Sequence, residues 1–155
     1  MNRIETTLLL IMTEKEILLA MKKRGFGKGK YNGVGGKIEF NETPEEAMIR
    51  ETKEEIFVTP INYDKVGVIE FIEFIKGEKT SLVFHLFTCT KWSGEPKESE
   101  EMKPQWFDLN KIPYDQMFDD DKHWLPYVLN GKKINGFFEF DENWKLLSRK
   151  IEEVK

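Results

Sequence analysis

Carboxylates crowd behind a run of glycines in residues 33–55, GVGGKIEFNETPEEAMIRETKEE. Wound into a helix at about 100° per residue, residues 44–56 bring Glu51, Glu54 and Glu55 onto one stripe, because spacings of three and four put side chains together. Arg50 lies one turn before Glu54 and can pair with it. Met48, Ile49, Thr52 and Ile56 fall on the side that faces a core, and the small Ala47 leaves room beside the acids. Like charges one turn apart cost only ~0.2–0.5 kcal/mol when exposed. The helix alone therefore leaves a solvated acidic face open. The chemical reading is that carboxylate oxygens are the ligands Mg²⁺ prefers, and that Mg²⁺ is commonly shared between a few carboxylates and substrate phosphates.

The segment before the helix narrows the choice. Residues 22–37 hold six glycines among Lys22, Lys23, Arg24, Lys28, Lys30 and Lys37. Glycine lets backbone groups approach a ligand closely, and a phosphate-sized anion suits such a cationic loop. A long hairpin with solubilising lysines is the plain alternative. Loop, helix and acid stripe in succession favour metal-dependent phosphate chemistry. A second acidic run, FDDD at 118–121, is a surface charge run unless it lies in a pocket.

These groups need a scaffold. The β-rich apolar stretch Thr6–Met12 predicts a buried strand, with a second over Glu16–Met21. Residues 22–37 read as loop. Thr43 as N-cap, Pro44 at the first position and Glu46 three residues on predict a capped helix over 43–56. Asn62–Phe74 and Lys79–Lys91 predict strands paired about Lys76-Gly77-Glu78. A short strand over 105–109, a helix over 123–129, a strand over 134–140 and a closing element over 144–153 follow. Strands dominate and the helices are separated, so the expected class is α+β, a mixed sheet between helices, in one domain over 1–155.

The 28 acidic and 24 basic residues give a net charge of −4, which argues against a duplex-binding face. Cys89 is the only cysteine, so no intramolecular disulfide forms, and it reads as a buried inert thiol. No apolar run reaches the ~18 residues that span a membrane. A reduced, cytoplasmic protein is the expectation. His85 reads as a core or supporting residue, His123 as exposed, and Trp92, Trp106 and Trp144 as core or edge packing.

The spacing resembles the Nudix box, G-x5-E-x7-R-E-U-x-E-E-x-G-U, where U is aliphatic. Gly36, Glu42, Arg50-Glu51 and Glu54-Glu55 occupy its charged and first glycine positions. Thr52 stands at an aliphatic position. Phe57 stands where the last glycine is usual, so a reshaped helix exit is expected, because a left-handed turn is costly for a bulky residue. Beyond the box, MKKRGFGKGKYNGVGGK, SEEMKPQWF, MFDDDKHWLP and KKINGFFEF resemble the MutT-type Nudix hydrolases that act on oxidised purine nucleoside triphosphates, nearly end to end.

That resemblance implies the Nudix fold and Mg²⁺-dependent (or Mn²⁺-dependent) hydrolysis to a nucleoside monophosphate and pyrophosphate. It implies metal ligation by Glu51, Glu54, Glu55, Glu101 and the Gly35 carbonyl. Arg50 would orient the acids, and Glu54 or Glu101 would be the general base. It further implies that Lys22 lies near phosphates and sugar, and that Thr7, Phe26, Asn32, Phe71, Leu82, Phe118, Asp120, Asp121 and Trp124 form the base pocket. Phenylalanine at 118 and leucine at 82 replace the tryptophan and methionine of similar proteins, which bears on base preference. The partner expected is a small nucleotide, with no nucleic acid or membrane and a monomeric protein. Two other functions are carried forward: hydrolysis of another nucleoside diphosphate-linked substrate, and non-catalytic nucleotide binding.

Overall fold

The apolar run near the start of the chain is buried on both sides, as a continuous run of this kind requires. In the computed structural model, which describes residues 1–155, it lies in strand β1 (Asn2–Met12). Leu8 and Leu10 enter one core, and Leu9 and Ile11 enter another on the opposite face. β2 (Glu16–Lys22) repeats this, with Ile17 and Leu19 on the first side and Leu18 and Ala20 on the second. The remaining elements are β3 (Tyr31–Asn32), α1 (Pro44–Ile56), β4 (Thr59–Ile75), β5 (Glu78–Ser93), β6 (Met102–Asp108), a 3₁₀ turn (Tyr114–Gln116), α2 (Asp121–Leu129), β7 (Lys133–Phe140) and β8 (Leu146–Val154).

All eight strands join one mixed sheet in the order β3-β2-β1-β5-β4-β7-β8, with β6 on the other edge of β2. β1 with β5, and β4 with β7, are parallel; the other pairs are antiparallel. Met48 and Ile56 of α1 pack into the core on one face. Trp124, Leu125 and Val128 of α2 pack into the core on the other. The sheet is thus held between helices, as the sequence suggests.

Several boundaries differ from the sequence reading. The segment expected to be all loop contains β3 and two isolated bridges, Leu9 to Val34 and Thr6 to Lys37. β1 and β2 pair only at Ile11–Leu18 and Met12–Ile17 and then part. Residues 31–37 run into the fork, pairing first with β2 and then with β1. Here it is tertiary pairing, and not local propensity, that makes strand of glycine-rich chain.

α1 begins on the expected capping box. Thr43 Oγ1 accepts the Glu46 N–H at 3.1 Å, and Glu46 accepts the Thr43 N–H at 3.1 Å. Thr52 is fully buried and donates its hydroxyl to the Met48 carbonyl at 2.8 Å, so a polar residue in an aliphatic position is satisfied. The helix exit is not reshaped, contrary to expectation. Phe57 adopts the left-handed conformation itself, at φ 62° and ψ 32°, and its N–H reaches the Lys53 carbonyl at 3.1 Å. Its ring is 53% exposed, so the strain is confined to the backbone and no side chain is forced into the core.

Removing the cap isolates what the local sequence contributes. Thr43→Ala is expected to lower unfolding free energy by ~0.5–2 kcal/mol, read from urea titration; an unchanged midpoint would show that the box is decorative.

Candidate active site

The fork between β1 and β2 fixes the first part of the site. A Cβ on Gly35 would meet the Thr7 carbonyl oxygen at 1.9 Å, a backbone atom that cannot yield. A Cβ on Gly36 would meet the Glu51 carboxyl at 2.4 Å. Glycine is therefore required at position 35 for the chain to pass beside β1, whereas a Cβ at position 36 would displace the Glu51 carboxyl. The Thr7 N–H donates to the Gly36 carbonyl at 3.0 Å, and the buried Thr7 hydroxyl lies 3.4 Å from both Gly36 backbone polar atoms. The Gly35 N–H donates to Glu55 Oε1 at 2.9 Å, tying loop to helix.

Arg50 organises the acids. It binds Glu42 through Nε at 2.7 Å and Nη2 at 2.9 Å, Glu51 through Nη1 at 2.8 Å, and Glu54 through Nη1 at 3.5 Å. Glu54, the partner expected from helical spacing, is the weakest of the three. Glu42 is the strongest, and Arg50 lowers its carboxyl to about 2. Burial raises Glu51 above the usual range despite Arg50, and burial pushes Glu55 up to about 8 despite the Gly35 hydrogen bond. Glu101, before β6, forms an ion pair with Arg24 at 3.1 Å, and its charge adds to the raising of both.

The oxygens of these acids do not converge as they stand. No set of three His, Cys, Asp or Glu side chains is arranged to hold an ion. Three carboxylates turn to different donors, Glu51 to Arg50, Glu55 to Gly35 and Glu101 to Arg24, while the Glu54 side chain is 60% exposed. The donor set still suits a hard divalent cation. It offers only oxygens, the Gly35 carbonyl accepts no hydrogen bond, and the half-buried Glu51 and the buried Glu55 lack full counter-charge.

Beside the acids opens a cavity of 1380 Å³. All ten residues proposed for substrate line it: Thr7, Lys22, Phe26, Asn32, Phe71, Leu82, Phe118, Asp120, Asp121 and Trp124. Gly35, Glu55 and Glu101 reach it too; Glu51 and Glu54 do not line it, and Glu54 borders an adjoining groove shared with Glu101 and Arg24. Asn32 Oδ1 accepts the Gly33 N–H at 2.8 Å, which leaves its NH₂ for a ligand. At the far end Trp124 Nε1 donates to Asp120 Oδ2 at 2.9 Å, and the Phe118 N–H donates to Asp121 Oδ2 at 3.0 Å. Burial raises Asp120 to about 6 and, with the Asp120 charge, raises Asp121 well above its ordinary value.

Other residues stand where the sequence does not by itself place them. Lys30 sits 5.6 Å from the Phe118 ring centre. Trp144, expected as packing, lines the cavity with its ring 4.6 Å from that of Phe26, which also stacks on Phe118 at 5.8 Å. Glu73 of β4 lines the cavity as well. His85 is not a metal ligand; it lies between Glu5 and Lys65, each at 3.0 Å. His123 is partly covered rather than exposed, against Arg149 and the Phe138 ring.

The family model described as NUDIX domain matches residues 1–128. An oxidized purine nucleoside triphosphate hydrolase of Danio rerio is 46% identical over 149 residues, covering 96% of this chain and 94% of that protein. The protein of the same description from Mus musculus is 43% identical over 148 residues, with the same coverage of 96% and 94%. The crystal structure of a mutator MutT protein from Bacillus halodurans matches with a TM-score of 0.84 at 26% identity, covering 96% of this chain and 97% of that one. A glycine segment locked against an arginine-held acid stripe, on a sheet that matches a MutT protein throughout, agrees with the family model, and the chain belongs to the Nudix hydrolases.

Proposed function

We propose that the protein hydrolyses oxidised purine nucleoside triphosphates to the monophosphate and pyrophosphate, and so removes damaged purines from the nucleotide pool. The observation that carries this reading is one cavity with two unlike ends. One end holds carboxylates and Lys22, suited to a triphosphate with its cations. The other holds aromatic rings and two buried carboxyls, suited to a polar heterocycle. The relatives in fish and mouse named for this activity cover nearly the whole chain.

Nudix hydrolases generally use divalent cations. Here the ion would be Mg²⁺, with Mn²⁺ as a substitute, held by Glu51, Glu54, Glu55, Glu101 and the Gly35 carbonyl. When bound, it neutralises the triphosphate and activates water towards phosphorus. The chain supplies the rest. Arg50 holds Glu51 and Glu42 in fixed orientations. Lys22 offsets phosphate charge. Glu54 and Glu101 are the acids exposed enough to take a proton from attacking water. The α–β phosphoanhydride breaks, and pyrophosphate leaves.

At the base end Asp120 and Asp121 would bind the heterocycle. An ionised carboxylate only accepts hydrogen bonds, whereas a protonated one also donates. Two adjacent acids that share a proton can therefore suit more than one oxidised base edge. Asn32 would offer its NH₂ to another edge, and Phe26, Phe118, Phe71, Leu82 and Trp124 would enclose the ring beside Thr7. Residues 1–155 are read as one catalytic domain, monomeric and cytoplasmic, with a small nucleotide as partner and neither nucleic acid nor membrane. No helix is long and apolar enough to cross a membrane. A second reading, another nucleoside diphosphate-linked substrate, draws on the cavity's size, which exceeds the ~300–1,000 Å³ usual for ligand pockets. A non-catalytic role is disfavoured by the intact acid stripe.

Pyrophosphate release from dGTP, 8-oxo-dGTP, dATP, 2-oxo-dATP, ADP-ribose and a diadenosine polyphosphate, with Mg²⁺ present, decides between these. The oxidised purines are expected to give the highest kcat/KM; turnover of ADP-ribose or the diadenosine compound alone would favour the second reading. Glu54→Gln should lower kcat ~10²–10⁴-fold at saturating Mg²⁺ if Glu54 is the base. A near-normal rate shifts that role to Glu101. The acids at the base end also predict a pH effect. The folded pKa of Asp120 is raised from 3.8 to about 6, so its contribution is greatest below pH 4 and is lost as pH rises from about 4 through 6. Over that interval wild type should lose stability relative to Asp120→Asn; parallel urea-unfolding profiles would contradict the assignment.

A further inference from the structure

The outward and inward faces of β4 treat their two central glutamates differently. Glu70 accepts the Ser81 hydroxyl at 2.5 Å on the face away from the cavity. Glu73 follows Ile69 and Phe71 on the stripe that lines the cavity, where an apolar residue would continue the pattern. It is half-buried and has no hydrogen-bond or ion-pair partner. Its cross-strand neighbour on β5 is Thr80, whose hydroxyl is spent on the Glu78 carbonyl at 3.0 Å. A carboxyl placed this way destabilises the fold unless something else binds it.

We propose that Glu73 is a third base-reading carboxyl, which together with Asp120 and Asp121 sets the cavity's preference among oxidised purines. The inference rests on the reading of this cavity as a purine nucleotide site. Burial first, and the Asp120 charge second, raise Glu73 to about 7. Asp120, at about 6, ionises earlier, so Glu73 feels its charge while Asp120 meets a neutral Glu73. Near neutral pH Glu73 can therefore donate to a ring acceptor, or ionise and accept from a ring N–H or exocyclic amine. Asp120 is held by the Trp124 indole and Asp121 by the Phe118 amide. Glu73 is the acid with no protein donor to fix its role, and so the one free to follow the base.

The test uses the full chain with Glu73→Gln and Glu73→Leu. Calorimetry gives Kd for 8-oxo-dGMP and 2-oxo-dAMP, which requires no turnover and no metal-dependent step. Glu73→Gln, close in shape, should change the ratio of the two Kd values by about ten-fold or more. Glu73→Leu restores the apolar stripe. It should raise the thermal midpoint while weakening the better-bound monophosphate by about ten-fold or more. A Kd ratio within about two-fold of wild type in both variants overturns the proposal, as does an equal loss on both ligands or no measurable binding by wild type. Wild-type hydrolysis of the matching triphosphates is measured separately and bears on the reaction alone.

Discussion

The passage of a side-chain-free backbone through the fork between β1 and β2 is the constraint on which the site depends. β1 and β2 separate after two paired positions, and residues 31–37 enter between them. Gly35 clears the Thr7 carbonyl and Gly36 clears the Glu51 carboxyl only because neither carries a Cβ. This approach lets the Gly35 amide bind Glu55 and so clamps α1 to the sheet at its acidic end. It also brings Asn32, two residues before Val34, onto the cavity wall. The phosphate end and the base end are thus positioned by one short run of chain.

The acid stripe would be unfavourable without the charges around it. Arg50 lies within reach of four carboxylates, Glu39, Glu42, Glu51 and Glu54, but its best geometry is with Glu42, which lies outside the helix. Glu42 ties the loop entering α1 to the helix's polar side, and Glu51 is held in the same grip. Compensation is incomplete deeper in, at Glu51 and above all at Glu55, where burial and like charge act together. Such sites take up divalent cations readily, because charge neutralisation is largest where water is scarcest.

The sequence disclosed the fold and site unevenly, for physical reasons. The capping box at Thr43 and Glu46 and the two-sided burial of Leu8–Ile11 are local or periodic, and both are where the sequence puts them. β3 was missed because its pairing comes from the parting of distant strands. Phe57 was expected to alter the helix exit, yet the backbone accepts the strain with the ring in solvent. The cavity-lining residues came from the resemblance to known enzymes; no spacing rule would join Thr7, Phe71 and Asp120. Arg50's pairing with Glu42 crosses the helix start and escapes a rule built on helical neighbours. Glu73 did leave a signal, as the polar residue that breaks an inward stripe of Ile69 and Phe71.

Cys89 gains meaning from the conditions that the proposed activity would meet. Oxidised nucleotides arise where oxidants are abundant, and those oxidants attack thiolates far faster than thiols. The sulfur is fully buried beneath α1, donates to the Lys91 carbonyl at 3.1 Å, and is pushed by burial above its ordinary pKa. It therefore stays protonated and out of reach, and no second cysteine exists to trap it. Under the proposed function, the chain presents no exposed thiol for peroxide to oxidise while oxidised nucleotides accumulate.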